Sequence, residues 1–349
     1  MKIKEVQACY PRWEQIPQIS GWQSHLWQIV VRVTADDGTV GYGYGGGGNA
    51  GVAVVNSHLR ELSLGRQING PDDILHAYKD AVQAIIPYGR GGLAQMALSG
   101  LDLALWDLLG NAEKCPVYRL LKGNATPTHA YATTNDLELG SLYGYEAVKI
   151  TYKWSDASDE DLAEDMAAKA RSALGPNKKL MFDCYMSWTS RVALRMAERL
   201  KPYTIWWFED VLTPDDLDEL AVLRPKINPI LLAGGEHEMT LAGFRRAAAK
   251  SSLDIWQPDV TWCGGLSGTL GILEAAKKAE VPVILHRGGE PWGLHLIVAG
   301  DCAPWAETMP HRWQPGAEQL WLDEPVVEKG MIVPHDAPGF GVKLNESLL

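Results

Sequence analysis

The sequence predicts an α/β fold, a barrel of alternating strands and helices preceded by a smaller α+β unit. Short apolar runs, rich in β-branched or aromatic residues, alternate with amphipathic helical patterns. Six of these runs end in an ionisable residue, and successive ones are separated by 26, 27, 23, 27 and 21 residues. The 349 residues exceed the ~250 of one barrel and leave about a hundred for another unit.

Residues 1–125 are expected to form the α+β unit. Alternating and Val/Ile-rich runs predict an antiparallel sheet within residues 1–45, with a turn at Asp36-Asp37-Gly38. Between the first two strands, residues 11–23 predict an exposed loop. The predicted strands are Ile3–Cys9, Leu26–Thr34 and Thr39–Tyr44, and the predicted helices are Val52–Leu62, Asp72–Ile86 and Leu93–Gly110.

A glycine-rich segment at residues 43–48 matches the G-x-G-x-x-G pattern of a dinucleotide site. No buried parallel strand ending in an acid follows it at the required distance, so a glycine-rich turn is the preferred interpretation. Asp102 and Asp107 lie inside the third predicted helix. We expect these two acids to be buried with local hydrogen bonds rather than catalytic.

Residues 126–315 are expected to form the barrel, and residues 316–349 to pack back on the first unit. The first two barrel strands are predicted at His129–Thr133 and Ala147–Thr151. Side chains at the C-terminal ends of barrel strands converge on one mouth, where the chemistry of such folds is carried out. The six strand-end residues are Asp183, Glu209, Glu236, Asp259, His286 and Glu307.

The formal charge of −11 and the pI of about 5.3 argue against nucleic acid and acidic membrane surfaces as partners. The five cysteines contain no C-x-x-C pair, and no apolar run approaches the ~20 residues of a membrane span. We expect a cytoplasmic protein that forms a homo-oligomer and binds a small molecule.

Three successive strand-end carboxylates, Asp183, Glu209 and Glu236, are candidate metal ligands. Close carboxylates repel one another unless a cation lies between them. Ligation by oxygen alone favours Mg²⁺, with Mn²⁺ as an alternative. A structural role as a helix cap or salt bridge is the competing interpretation for each acid taken singly.

His286 and Asp259 end adjacent predicted strands, so the carboxylate is expected to fix the tautomer of the imidazole. His286 is then a candidate general base and later a general acid. A satisfied core histidine is the alternative. Glu307 across the mouth is a candidate hydrogen-bond donor to developing oxyanion charge, if it is protonated. Metal and base together predict proton abstraction α to a carboxylate, through a metal-stabilised enediolate.

The sequence resembles the mandelate racemase subgroup of the enolase superfamily over essentially its whole length. The resemblance rests on these motifs: Val148-Lys149-Ile-Thr151, Met181-Phe-Asp183, Trp207-Phe-Glu209, Gly235-Glu236-His237-Glu238, Gln257-Pro-Asp259, Gly264-Gly265 and His286. It implies a modified TIM barrel, (β/α)7β, with an α+β capping domain. It also implies the metal ligands and the His286–Asp259 dyad named above, with Glu307 at the eighth strand.

Within the subgroup the sequence is similar to the L-rhamnonate dehydratases, which implies dehydration of an acid sugar such as an aldonate to a 2-keto-3-deoxy acid. Mandelate racemase has a K-x-K pair where this chain has Lys149 and Thr151. Lys149 is carried over as a catalytic candidate, whereas Thr151 removes a base from the opposite face. This favours syn dehydration by His286 alone. Loop 11–23 is expected to contact the distal end of the substrate.

His237 follows a candidate metal ligand and is expected to contact either the substrate or a neighbouring side chain. Trp292 and Trp188 follow strands and are candidates either for stacking on a sugar or for packing. An epimerase or other lyase using the same enediolate, and a non-catalytic barrel protein, are the alternative functions.

Overall fold

The computed structural model describes residues 1–13, 27–137, 144–155, 159–310 and 319–349. The chain begins with a three-stranded antiparallel sheet in the order β1–β2–β3. Its strands are β1 Ile3–Cys9, β2 Ile29–Ala35 and β3 Val40–Gly45. Pro11 and Trp13 are buried, which corrects the expectation of an exposed loop at its start, and residues 14–23 of that loop lie outside the described residues.

Helices pack on this sheet. The predicted helix at Val52 begins earlier, at Gly48, and is interrupted by a π-helical turn at Val55–Leu59. The helices are α1 Gly48–Val54, α2 Arg60–Ser63, α3 Pro71–Gly89, α4 Leu93–Ala112 and α5 Val117–Leu120.

The glycine-rich segment allows β3 to approach α4 closely. A Cβ atom on Gly43 would lie 2.0 Å from the carbonyl oxygen of Gly100, and one on Gly41 would lie 2.3 Å from that of Ala104. Strand β3 is antiparallel to β2, whereas a dinucleotide site requires a parallel βαβ unit. The glycines therefore serve helix–strand packing.

Seven strands of the second sheet run parallel in the order β10–β4–β5–β6–β7–β8–β9. Pairing of β10 with β4 brings the last barrel strand beside the first. The strands are β4 Thr128–Thr133, β5 Ala147–Thr151, β6 Lys179–Asp183, β7 Ile205–Glu209, β8 Leu231–Gly234, β9 Ile255–Trp256 and β10 Trp305–Thr308.

The run at 283–286 occupies the position between β9 and β10 without forming a regular ladder. Val283 makes a single parallel bridge to Trp256, and its carbonyl accepts a hydrogen bond from the backbone N–H of Ala303. The helices that follow the strands are α6 Asp159–Leu174, α7 Ser190–Arg199, α8 Leu217–Leu223, α9 Leu241–Lys250, α10 Gly265–Ala279 and α11 Pro291–Ile297.

The C-terminal residues contact both parts of the molecule. Strand β12, Met331–Ile332, pairs antiparallel with β4, while Asp107 in α4 accepts a hydrogen bond from the backbone N–H of Phe340. The short strands β11 Trp321–Leu322 and β13 Lys343–Leu344 pair with each other. In the part of the chain that the structure describes, helices with the length and apolar character needed to cross a membrane are absent.

Candidate active site

The ends of the parallel strands bring the predicted residues to one rim. Asp183 is aligned with Glu209 across β6 and β7, and Glu209 with Ala233 across β7 and β8. The residues just after these strands adopt strained backbone conformations, with φ of 51° at Tyr185 and 44° at Asp210. Left-handed backbone at residues other than glycine is uncommon and clusters at functional sites.

His286 and Asp259 form a buried dyad. Nδ1 of His286 lies 2.8 Å from Oδ2 of Asp259, and the side chains are 2% and 1% exposed. Neighbouring Arg287 and His286 outweigh burial and hold the pKa of Asp259 well below its usual range. An ionised carboxylate only accepts hydrogen bonds, so Nδ1 carries a proton. Burial lowers the pKa of His286, but Glu236, Asp259 and Glu307 outweigh burial and raise that pKa to about 9. Nε2 is the nitrogen that acts as a base once it has lost its proton.

Both oxygens of Asp259 are fully engaged. Oδ1 accepts hydrogen bonds from the backbone N–H and the hydroxyl of Thr261, at 2.7 and 2.8 Å. Oδ2 accepts from Nε of Arg287 at 2.8 Å, besides His286. Asp259 is therefore held in one orientation, and with it the imidazole.

Lys149 is a buried cation between two carboxylates. Its Nζ lies 2.7 Å from Oε1 of Glu307 and also bonds Oε1 of Glu209. Burial lowers the pKa of Lys149, but Glu209 and Glu307 outweigh burial and raise that pKa well above its usual value. Lys149 is consequently a fixed positive charge and not a neutral base.

Glu307 is an acceptor, which corrects the expectation of a protonated donor. Its Oε1 accepts from the hydroxyl of Thr133 at 2.5 Å, and its Oε2 from the backbone N–H of Arg287 at 2.7 Å. Burial raises the pKa of Glu307, but the cations Lys149 and His286 outweigh burial and lower it. Glu307 is therefore ionised and holds Lys149 in place.

Glu236 connects the dyad to a second histidine. Its Oε2 lies 3.1 Å from Nε2 of His286, and its Oε1 lies 3.1 Å from Nε2 of His237. His237 is 30% exposed, and its Nε2 is 3.5 Å from Oδ2 of Asp210. Among the described residues, Asp210, Glu236 and His237 are a group whose potential ligand atoms all lie within 4.8 Å of one another.

Of the predicted metal set of Asp183, Glu209 and Glu236, only Glu236 belongs to this group. Oε2 of Glu209 accepts hydrogen bonds from Nε1 of Trp207 at 3.0 Å and from Nε2 of Gln257 at 2.7 Å. These donors and Lys149 together hold both oxygens of the Glu209 carboxylate.

The donor set nevertheless fits a divalent cation. Burial and the neighbouring charge of Glu209 raise the pKa of Asp183 to about 8, and burial and Glu236 raise the pKa of Asp210 well above its usual range. Ionisation of all the acids at this rim is therefore unfavourable unless a further positive charge is present. Oxygen-rich sites with excess negative charge suit Mg²⁺ or Mn²⁺.

Trp292 is packed in the core. It is 1% exposed and contacts the rings of Tyr44, Trp321 and Phe340, with centroid distances of 6.1, 4.9 and 4.7 Å. These contacts enclose the indole between the capping part and the C-terminal residues. The packing alternative therefore describes Trp292, which corrects the expectation that it stacks on a sugar. Trp188 is 4% exposed and packs on Phe182 and Phe208.

Several residues at the site were not predicted from the sequence to have a role there. Asp210 and Arg287 directly follow Glu209 and His286, and Gln257 lies two positions before Asp259. A search of the neighbours of each strand-end residue would have found these three. Gln28 is different, because nothing in its local sequence indicates that its side chain bonds Thr261, 233 positions away.

Two family models match the chain. The Enolase C-terminal domain-like model matches residues 137–348, and the Mandelate racemase / muconate lactonizing enzyme, N-terminal domain model matches residues 6–122. The chain belongs to the mandelate racemase subgroup of the enolase superfamily. Membership confirms the predicted family and the predicted barrel with an N-terminal capping domain.

Named relatives within this superfamily match most of the chain. A putative L-rhamnonate dehydratase of Caldivirga maquilingensis is 34% identical over 93% of this chain and 83% of its own length. The L-rhamnonate dehydratase of Saccharopolyspora erythraea is 34% identical over 97% of this chain and 88% of its own length.

Solved structures of the same type share the fold. The crystal structure of L-rhamnonate dehydratase from Gibberella zeae superposes with a TM-score of 0.88 at 29% identity, covering 99% of this chain and 94% of that one. A second structure of the Gibberella zeae enzyme, complexed with Mg, gives the same TM-score and identity and covers 99% and 95% of the two chains.

Proposed function

We propose that this chain is a Mg²⁺-dependent acid-sugar dehydratase, a hydro-lyase that forms a 2-keto-3-deoxy acid. The observation that carries the proposal is the His286–Asp259 dyad, whose basic Nε2 faces the carboxylate rim at Glu236. L-rhamnonate dehydratases that match nearly the whole chain, one of them solved with Mg, support the reaction class.

The metal is expected to be held by Asp183, Glu209 and Glu236 at the ends of β6, β7 and the strand after it. When bound, the cation would coordinate the carboxylate of the substrate and stabilise negative charge as it develops there. Mg²⁺ is the expected ion, and Mn²⁺ is an alternative with the same ligand preference. Glu236 would then attract His286 less, which favours the neutral imidazole that a general base requires.

His286 moves the proton. Its Nε2 takes the proton from the carbon next to the carboxylate, and Nδ1–H remains bonded to Asp259 throughout. The imidazolium then returns that proton to the departing 3-hydroxyl group, which leaves as water. The remaining enol takes up a proton from solvent at carbon 3 and loses its hydroxyl proton to solvent, which gives the ketone. One histidine acts on both groups, so elimination is syn.

A second base on the opposite face is absent from β5, which disfavours the epimerase alternative. Lys149 is held as a cation by Glu209 and Glu307. The hydroxyl of Thr151 accepts a hydrogen bond from Nδ2 of Asn135 and has no basic character. Two-base inversion of a carbon centre therefore has no second partner at this position.

The test is incubation of the purified protein with Mg²⁺ and a panel of aldonic and aldaric acids that includes L-rhamnonate. Formation of a 2-keto-3-deoxy product is scored. Incorporation of solvent deuterium at the α-carbon of the unreacted acid is the second readout. We expect product from at least one acid, and loss of product with EDTA and in His286→Asn. His58→Asn, the same change at a half-buried histidine that contacts Tyr88, is expected to retain activity.

Neither product nor deuterium incorporation with any acid would contradict the dehydratase proposal for that panel. Deuterium incorporation with inversion and without water loss would instead favour the epimerase alternative. Product formation that survives in His286→Asn would exclude His286 as the base.

Other parts of the proposal concern the whole protein. We propose the domain boundaries given above, a cytoplasmic location consistent with the five free cysteines, and a homo-oligomeric assembly. Size-exclusion chromatography with light scattering measures the assembly.

His237, half-buried beside Glu236, is proposed to reach a hydroxyl group of the substrate.

A further inference from the structure

A buried glutamine links the capping domain to the candidate catalytic dyad. Gln28 directly precedes β2 and is 0% exposed. Its Nε2 lies 3.2 Å from Oγ1 of Thr261, and its Oε1 lies 3.1 Å from Nε1 of Trp262. Its own backbone carbonyl accepts a hydrogen bond from Nε1 of Trp13 at 3.1 Å. Three hydrogen bonds thus fix one side chain and its backbone at the boundary between the two parts.

The orientation of the Gln28 amide follows from chemistry. The indole N–H of Trp262 can only donate, so the atom facing it must be the carbonyl oxygen Oε1. The amide nitrogen Nε2 therefore faces Thr261 and donates to its hydroxyl. A flipped amide would place two donors against each other at Trp262.

Thr261 passes this constraint on to Asp259. A hydroxyl group has one proton to donate and two lone pairs to accept with. The Thr261 hydroxyl donates to Oδ1 of Asp259 at 2.8 Å and accepts from Gln28 and from Nη2 of Arg287. Its capacity is complete, so the two donors on one side, Gln28 and Arg287, determine that the hydroxyl proton points at Asp259.

Trp262 supplies a second route to the same site. Its ring centroid lies 5.4 Å from that of His286 and 6.0 Å from that of His237. The guanidinium of Arg287 lies over the Trp262 ring at 5.2 Å. Gln28 holds the indole nitrogen, and the indole in turn packs against both histidines of the rim.

We propose that Gln28 is a positioning residue of the capping domain that sets the geometry of the His286–Asp259 dyad through Thr261 and Trp262. Gln28 is fully buried and acts on the reaction without touching substrate. The inference rests on the proposed role of His286 in catalysis. It makes the catalytic geometry dependent on how the capping domain is seated on the barrel.

The test compares Gln28→Met, Thr261→Val and the double variant in the full-length protein. Gln28→Met preserves size and removes both side-chain hydrogen bonds. Gln95→Met is the matched control, because Gln95 is a buried glutamine of α4 whose Nε2 lies near Gly264 and bonds Tyr78 rather than the dyad.

The first readout needs neither substrate nor metal. The Nδ1 proton of His286, hydrogen-bonded to Asp259 and shielded from water, should give a low-field resonance in the proton NMR spectrum that disappears in His286→Asn. We expect Gln28→Met to shift or broaden this resonance and Gln95→Met to leave it unchanged. The resonance reports on the dyad even if no acid in the panel is a substrate, so failure of the proposed function is distinguishable.

The second readout is steady-state kinetics on the acid that the panel identifies. We expect Gln28→Met to lower kcat roughly tenfold, the size of effect that loss of one buried hydrogen bond has on a barrier, with KM within about twofold of wild type. The double variant should lose less than the sum of the two single losses, because part of the effect of Gln28 passes through Thr261 and the rest through Trp262.

The proposal is overturned if Gln28→Met leaves both the resonance and kcat as in wild type, or if Gln95→Met changes them equally. Should Gln28→Met fail to fold, Gln28→Glu replaces it, because its carboxylate can still accept from Trp262 but cannot donate to Thr261. Gln28→Glu is then expected to disturb the resonance, and an unchanged resonance would overturn the proposal.

Discussion

Nζ of Lys149 lies 2.7 Å from Oε1 of Glu307, and each side chain is 1% exposed. The two residues are on β5 and β10, on either side of β4, so strand order alone brings them together. Lys149 also bonds Glu209, so one buried cation is shared by two carboxylates inside the barrel.

Removal of the Lys149 ammonium group is expected to destabilise the fold. In Lys149→Met two buried carboxylates lose their cation, and breaking a buried pair from one side costs about 3–5 kcal/mol. Urea unfolding in EDTA measures the loss. The matched control is Lys179→Met, since Lys179 is partly exposed and its Nζ lies 3.8 Å from the ring centroid of Trp206, a contact worth about 0.5–1 kcal/mol. Equal losses in the two variants would contradict the role of the buried ion pairs.

The effect of Mg²⁺ on stability distinguishes between two candidate sets of metal ligands. If Asp183, Glu209 and Glu236 hold Mg²⁺, Mg²⁺ at about 100 times its Kd should stabilise the wild type by ~2.7 kcal/mol. Asp183→Asn should remove that stabilisation, and Asp210→Asn should largely retain it. Thermal unfolding with and without Mg²⁺ gives the comparison. The reverse pattern would assign the ion to the group of Asp210, Glu236 and His237.

Acid sensitivity should depend on His295. His295 is 0% exposed, its Nδ1 accepts the backbone N–H of Tyr118 at 3.0 Å, and burial lowers its pKa to about 3. A histidine in the unfolded chain has a pKa near 6.5, so the unfolded state binds the proton first. The stability that comes from keeping His295 neutral is complete above pH ~6.5 and is lost as the pH falls toward 3. The free energy of unfolding is expected to fall by about 2 kcal/mol between pH 7 and pH 5 on this account.

The measurement is the difference in unfolding free energy between wild type and His295→Gln at pH 7 and at pH 5. We expect this difference to be smaller at pH 5, because only the wild type carries the titrating histidine at position 295. A difference that stays constant across that interval would show that His295 does not titrate with a lowered pKa.

Close packing of β3 on α4 predicts a cost for any side chain at Gly43. A Cβ atom there would lie 2.0 Å from the carbonyl oxygen of Gly100, so Gly43→Ala must displace backbone and is expected to cost about 1–3 kcal/mol. Gly91→Ala is the control, because a Cβ atom at Gly91 meets nothing within 4 Å. Denaturant midpoints of the two variants provide the test, and a neutral Gly43→Ala would contradict the close approach.

The periodic parts of the fold were readable in the sequence. Strands Ile3–Cys9, Lys179–Asp183 and Ile205–Glu209 fall at or beside their predicted bounds because period-2 patterning and β-branched or aromatic residues mark strands directly. The run at Val283 was less predictable, because its single bridge to Trp256 depends on the neighbouring chain rather than on its own apolar residues.

The sequence by itself determined the barrel with its α+β unit and the order of ionisable residues along the rim, because these depend on local pattern and spacing. Its motifs carried the resemblance to the family. The tertiary structure decided the protonation of Glu307, the packing of Trp292 and the link from Gln28 to Asp259. Each of these depends on partners far away in the chain, such as Thr261, 233 positions from Gln28. A pKa or a hydrogen bond is fixed by whichever groups the fold brings within a few ångströms, and that proximity is not encoded in any local window of the sequence.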